Sequence, residues 1–165
     1  MADSGAVCIP TGGSCCVCND VRVKTIKRSA LVTHSAETLY RLVNDVEAYP
    51  AFLPWCAASG VIESSPSEMI AWLELRAMGV AYRFTTRNQL TPYTSILLKL
   101  EEGPFSRFSG EWRFQQLGDD GSKVSLDLQF DFRSRALALG IGSVFGEAAD
   151  RMVDAFCKRA DELAG

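Results

Sequence analysis

The amino-acid sequence predicts an α+β fold in which a curved antiparallel sheet wraps around one long C-terminal helix. Two observations carry this prediction. Between residues 61 and 132, apolar and polar residues alternate with a period of two, and the segments end at turn signals such as Asp119-Asp120-Gly121. Over the last 30 residues the apolar spacing becomes that of a helix. The sheet therefore has one apolar face, which the helix must cover to exclude water.

The strands and the first helix follow from local signals. Ser35 can cap a helix over residues 36–45, because its hydroxyl can accept a hydrogen bond from a free amide of the first turn. The alternation and the turn signals between segments predict the strands. The predicted strands cover residues 23–32, 61–63, 69–75, 80–90, 95–101, 108–114 and 124–132.

Composition limits the possible functions. The chain has 165 residues, 47% of them hydrophobic and 22% charged, which is enough for one domain with a substantial core. Its formal net charge of −3 means that contact with a polyanion must use a local basic patch. The longest uncharged apolar stretch, residues 136–146, is too short to cross a membrane, and residues 1–10 do not resemble a secretory signal. We expect a cytoplasmic protein, with a peripheral position at the inner membrane left open.

Residues 1–22 differ from the rest of the chain and are predicted to be a disordered extension to a domain over 23–165. They contain four of the six cysteines, and these are Cys8, Cys15, Cys16 and Cys18. A thiolate metal site is the alternative, but this spacing does not fit the usual CxxC pairs, so no metal is predicted. A start codon at Val21 or Val23 is a third interpretation.

The C-terminal helix carries apolar residues at helical spacing. They are Ile141, Phe145, Ala148, Met152, Phe156, Ala160 and Leu163. Gly140, Gly142 and Gly146 each cost about 1 kcal/mol in a helix interior relative to alanine. Three explanations stay open: the glycines leave volume for a ligand, they let the helix approach the sheet, or the helix starts only after Gly142.

Residues 49–56 are too rich in proline for a long helix and too apolar for an exposed loop. Held on this rigid segment, Phe52, Leu53 and Trp55 are predicted to form the lip of an apolar opening. The alternative is a plug that closes one end of the domain.

The two faces of the sheet lead to different expectations. Whether the inner face also lines a cavity does not follow from the sequence. The outer face carries a predicted basic patch, suited to phosphates of ribosomal RNA or of lipid headgroups. The patch consists of Arg76, Arg83, Arg87, Lys99 and Arg113. The alternative is an ordinary solvated face on which Glu74, Glu101 and Glu111 dilute the positive charge.

Catalytic motifs are not found in the sequence. The single histidine, His34, is expected at a strand-to-helix junction without a catalytic part, and no nucleophile elbow or HExxH motif accompanies it. The inward-facing polar residues of the predicted sheet are mainly Tyr82, Thr86 and Asn88, too few for an active site. The chain is therefore predicted not to be an enzyme and to need no cofactor.

Several stretches of sequence resemble the coenzyme Q-binding START-domain family, which includes the bacterial ribosome-association toxins (RatA) and belongs to the polyketide cyclase-like helix-grip superfamily. They are LVNDVEAYP at 42–50, FLPWC at 52–56, FTTRN at 84–88, GPF at 103–105, Gly110 with Trp112 and Phe114, and Val144-Phe145. The resemblance implies a helix-grip (START/Bet v 1-like) fold with a tunnel between the sheet and the C-terminal helix.

The resemblance also implies three functional hypotheses. The leading one is non-enzymatic binding of ubiquinone or a related isoprenoid lipid in support of respiration. The second is a RatA-type toxin that docks on the large ribosomal subunit through the basic patch and blocks subunit association. The third is a polyketide cyclase-like enzyme. The predicted ligand-binding residues are Tyr49, Phe52, Leu53, Trp55, Leu73, Leu75, Phe84, Leu98, Trp112, Leu128, Phe130, Ile141, Val144, Phe145, Met152 and Phe156.

Overall fold

A computed structural model of the chain describes residues 23–77 and 79–165. The predicted extension over residues 1–22, with its four cysteines, lies outside the described residues. All statements below concern the described part of the chain.

Seven strands form one antiparallel sheet in the order β1-β7-β6-β5-β4-β3-β2. Strands β1 and β2 therefore lie at the two edges, and the chain crosses from one edge to the other through the first helices. The strands are β1 (Lys24–Val32), β2 (Cys56–Ser64), β3 (Glu68–Ala77), β4 (Val80–Thr91), β5 (Ser95–Glu102), β6 (Phe105–Leu117) and β7 (Gly121–Phe132). Each predicted strand is present, and most extend a few residues beyond the predicted ends.

The connection between β1 and β2 is helical. Helix α1 (Ala36–Asn44) begins as predicted at Ser35, whose hydroxyl accepts a hydrogen bond of 3.1 Å from the Thr38 amide. A 3-10 turn over Val46–Ala48 and the single-turn helix α2 (Tyr49–Phe52) follow. The proline-rich block thus contains one helical turn. Pro50 is compatible with it because a proline in the first turn removes no intrahelical hydrogen bond.

The C-terminal helix is interrupted. Helix α3 (Arg135–Asp150) ends and helix α4 (Met152–Ala164) begins on either side of Arg151, whose backbone lies at φ −99° and ψ 2°, outside the helical region. Helix α3 starts well before the three glycines, capped by Ser134, so the interpretation in which it starts after Gly142 is wrong. Leu163, expected on the apolar face, is 59% exposed because it lies in the last turn.

The helices cover the concave face of the sheet, and aromatic side chains fill the space between. The ring centroids of Phe130 and Phe145 are 4.6 Å apart, and those of Trp112 and Phe156 are 5.4 Å apart, both in edge-to-face geometry. The inner-face residues predicted from the alternation lie in the buried core or against it. The predicted α+β helix-grip architecture is confirmed.

In residues 23–77 and 79–165, no helix has both the length and the apolar character that a membrane crossing requires. The predicted peripheral contact with a membrane stays a prediction.

Candidate functional site

A cavity of about 60 Å³ lies between the sheet and the helices, next to the interruption between α3 and α4. Strands β3 to β7 form one wall, and the end of α1, the following turn and the C-terminal helices form the other. Nine of the predicted ligand-binding residues line it: Tyr49, Trp55, Leu73, Phe84, Leu98, Trp112, Leu128, Phe145 and Met152.

The remaining predicted residues do not line this cavity because they are used elsewhere in the packing. Phe130 packs against the ring of Phe145, and Phe156 packs between Phe52 and Tyr49. Leu53, predicted for the lip of an opening, is fully buried, so only Trp55 of the three predicted lip residues reaches the cavity. The residues that do not line the cavity are Phe52, Leu53, Leu75, Phe130, Ile141, Val144 and Phe156.

The three glycines of α3 do not line the cavity either. A Cβ atom on Gly140 would lie 3.4 Å from the Tyr82 hydroxyl oxygen, and one on Gly142 would lie 3.7 Å from the Phe132 ring. At these distances a Cβ atom would make ordinary van der Waals contact, so neither position requires a glycine for the approach of α3 to the sheet.

Further cavity residues were missing from the predicted site. Those on strands share the inward alternation that already marked their neighbours, and Ala148 belongs to the apolar spacing of the C-terminal helix, whereas Asn44, Val46 and Ala149 carry no such signal. They are Val43, Asn44, Val46, Ala71, Thr86, Asn88, Ile96, Phe108, Leu126, Ala148 and Ala149.

The polar groups of the cavity are few. Thr86 and Asn88 point inward from β4, as predicted, and both are buried. Asn88 is only 6% exposed, and its Oδ1 atom has no hydrogen-bond partner among the described residues. The Tyr49 hydroxyl, in contrast, has a partner, because it donates a hydrogen bond to the Val43 carbonyl. Burial raises the pKa of Tyr49 well above its usual value. The cavity therefore offers one unsatisfied acceptor in apolar surroundings.

This cavity is smaller than one that holds a six-membered aromatic ring. A cavity that holds benzene has a volume of about 150 Å³, whereas this one has about 60 Å³.

On the outer face, two of the five predicted contact residues are held by carboxylates. The Arg87 guanidinium lies 2.8 Å from Glu68 and 2.9 Å from Glu101. Its hydrogen bond to Glu101 holds the pKa of that carboxyl group below its usual value. Arg113 lies 2.7 Å from Glu111, with Asp127 at 4.0 Å. Both guanidinium groups therefore take part in short ion pairs with carboxylates.

The other three contact residues have different surroundings. Arg83 stacks on Trp72, with the guanidinium carbon 3.9 Å from the ring centroid, and lies 3.7 Å from Glu74. Arg76 and Lys99 have no ion pair in the described part of the chain. The predicted basic patch is therefore divided into carboxylate-held and available cations.

His34 lies at the junction between β1 and α1, as predicted. Its Nε2 atom is 2.6 Å from Asp161 Oδ1, so it connects this junction to α4. The described residues contain no group of three or more histidine, cysteine, aspartate or glutamate side chains that could hold a metal ion.

Comparison with known proteins identifies the family. The polyketide cyclase / dehydrase and lipid transport family matches residues 32–157. The chain belongs to this family. One solved structure of the same fold is an aromatase/cyclase (ZhuI) from a Streptomyces species, with a TM-score of 0.74 and 19% identity over 87% of this chain and 96% of that one. This likeness concerns the fold.

Within the family, the chain is 49% identical to the ribosome association toxin RatA of Pseudomonas aeruginosa over 140 residues, 85% of this chain and 97% of that protein. It is 28% identical to a mitochondrial coenzyme Q-binding protein, COQ10 homolog B of Xenopus laevis, over 83% of this chain and 58% of that protein. The predicted resemblance to both branches is confirmed.

The leading hypothesis, a ubiquinone-binding protein that supports respiration, is wrong. The curated relatives at 43–49% identity are named as toxins, mostly for ribosome association, and the coenzyme Q-binding relative is distant. The findings favour the second hypothesis.

Proposed function

We propose that this chain is a ribosome-association toxin of the RatA type, which binds the large ribosomal subunit and thereby blocks its association with the small subunit. The observation that carries the proposal is the 49% identity to the Pseudomonas aeruginosa toxin over 97% of its length. At that similarity the two proteins share their fold. Ribosomes are cytoplasmic, so this is where we expect the chain to act.

We infer that the chain acts by binding and not by catalysis. The polar side chains that line the cavity are the amides of Asn44 and Asn88, the hydroxyls of Tyr49 and Thr86, and the indole of Trp55. None of these groups has an ordinary pKa near neutral pH, the range in which a general acid or base is most efficient. Blocking an association, in contrast, needs only a surface that competes for the subunit interface.

The proposal is tested with purified large and small ribosomal subunits. The chain is mixed with the large subunit, the small subunit is added, and the joined ribosomes are separated from free subunits on a sucrose gradient. We expect the joined fraction to fall as the chain concentration rises, and the chain to migrate with the large subunit. The chain alone on a parallel gradient controls for its own aggregation. An unchanged joined fraction at saturating chain would contradict the proposal.

A further inference from the structure

We propose that Arg76 and Arg83, on the outer face of β3 and β4, contact the phosphodiester backbone of ribosomal RNA. This inference rests on the proposed function, since it identifies the surface through which the chain would associate with the ribosome. The predicted basic patch contained five cations, and these two are its arginines that no short ion pair holds in the described part of the chain.

The first argument is the availability of positive charge. Arg87 is held by two carboxylates at 2.8 and 2.9 Å and Arg113 by one at 2.7 Å, so each guanidinium already takes part in a short ion pair. Arg83 is 3.7 Å from Glu74, beyond hydrogen-bond distance, and its side chain is 56% exposed. Arg76 is exposed and has no ion pair among the residues that the structure describes. Their donors can reach a phosphate without first breaking a short ion pair.

The second argument is the fixed orientation of Arg83. A Cβ atom on Gly60 would lie 2.7 Å from the Trp72 indole, so the ring packs directly against the backbone of β2. The Arg83 guanidinium lies over the same ring, 3.9 Å from its centroid. Stacking by its plane leaves the N–H groups along the guanidinium edge able to bind a phosphate in a bidentate manner. Because the side chain is already ordered, binding costs less conformational entropy.

The third argument is the spacing of the two arginines. Arg76 is paired with Ala81, and Glu74 is paired with Arg83, so the arginines occupy diagonal positions on one face. The Cα atoms of such neighbours are roughly 7–8 Å apart. The Arg83 guanidinium extends over Trp72, on the other side of Glu74 from Arg76, so the two cations are spread along the sheet surface. Ala81, which is paired with Arg76, is exposed, and its small side chain leaves room beside Arg76. A single strand of RNA backbone can approach it and meet two cations in succession.

The test compares two double variants that remove the same charge from the same sheet face. In Arg76→Gln/Arg83→Gln the available pair is lost, and in Arg87→Gln/Arg113→Gln the carboxylate-held pair is lost. Binding to the purified large subunit is measured by co-sedimentation at several salt concentrations. For the first variant we expect at least a tenfold weaker association and a slope of log K against log salt that is shallower by about 2. For the second we expect binding within about twofold of the unaltered chain.

A third variant isolates the contribution of the stack. Trp72→Leu keeps both arginines but removes the ring that orders Arg83, and we expect a several-fold loss of affinity with the salt slope nearly unchanged. Thermal unfolding of each variant establishes that it is folded before binding is compared.

The outcomes separate this inference from the proposed function. If the unaltered chain binds the subunit and Arg76→Gln/Arg83→Gln binds equally well, the inference is overturned and the proposed function stands. A tenfold loss without a change of salt slope would indicate a contact with a ribosomal protein and would also overturn it. If the unaltered chain does not bind the subunit at all, the proposed function fails, and this inference with it.

Discussion

The inner and outer faces of the sheet are organised by different interactions. On the inner face, every second residue of a strand points into the core, so its position in the alternation determines its environment. On β7, for example, Val124, Leu126 and Leu128 are all buried. On the outer face, the alternation places a side chain in solvent but does not determine which charged residue it pairs with. There the partner comes from a neighbouring strand, as when Arg87 of β4 meets Glu68 of β3 and Glu101 of β5. Burial on the inner face therefore follows from the hydrophobic pattern of each strand, whereas the ion pairs on the outer face follow from the register between strands.

Because of this difference, two basic residues on the outer face can have very different electrostatic surroundings. Arg83 and Arg87 lie four residues apart on the same strand and the same face, yet one stacks on an indole and the other is held by two carboxylates. A count of outward-facing basic residues therefore overestimates the charge that the surface presents to a partner. The contrast between the faces can be tested by substitutions whose expected effects differ in size and sign.

The largest effect is expected at the centre of the inner face. Phe130→Ala removes a fully buried ring that packs against Phe145 at 4.6 Å, and we expect the free energy of unfolding to fall by about 3–5 kcal/mol. Denaturant titration measures this value. Gln129→Ala, one residue earlier and exposed on the opposite face, is the matched control, with an expected change within about 0.5 kcal/mol. Similar losses for the two variants would refute the division between the faces.

A smaller effect of opposite sign is expected at Asn88, the polar exception on the inner face. Because its Oδ1 atom is buried without a partner among the described residues, replacing the amide by an apolar group of similar size removes a desolvation cost. We expect Asn88→Leu to raise the free energy of unfolding by about 1 kcal/mol. Asn88→Asp, which buries a charge at the same position, should lower it. A loss of stability in the leucine variant would show that the amide is satisfied in the folded protein.

The same two faces explain how far the sequence predicted the structure. Period-two alternation located the strands from β3 to β7, and Ser35 marked the start of α1, because these signals are local. Strand β2 was predicted only over residues 61–63, although it spans Cys56–Ser64. The interruption at Arg151 was not predicted, since the apolar helical spacing continues through it. The volume of the cavity was not predicted either, because it depends on how side chains from strands far apart in sequence interdigitate.

The ion pairs of the outer face show the same limit. Glu68 and Glu101 reach Arg87 because β3 and β5 pair with β4 in one particular register, with Ile70 and Lys99 directly opposite Arg87. The sequence contains every residue of this cluster but not the register that assembles it. The division of the predicted basic patch into held and available cations could therefore come only from the structure.

The smallest expected effect concerns this cluster and is best seen as a titration. Arg87 holds the pKa of Glu101 below its usual value, chiefly through a side-chain hydrogen bond, and Arg87→Gln should return that pKa toward the usual value. Carbon-detected NMR of the Glu101 carboxyl as a function of pH measures the change, and Arg113→Gln should leave it unaltered. The pKa of Glu101 is lower in the folded chain than in the unfolded chain, so the ion pair stabilises the protein at pH values above the usual pKa of a carboxyl group. This contribution is lost as the pH falls through the lowered pKa. The Arg87 variant should therefore lose less stability on acidification than the unaltered chain, and an equal loss in both would mean that solvent screens the pair completely.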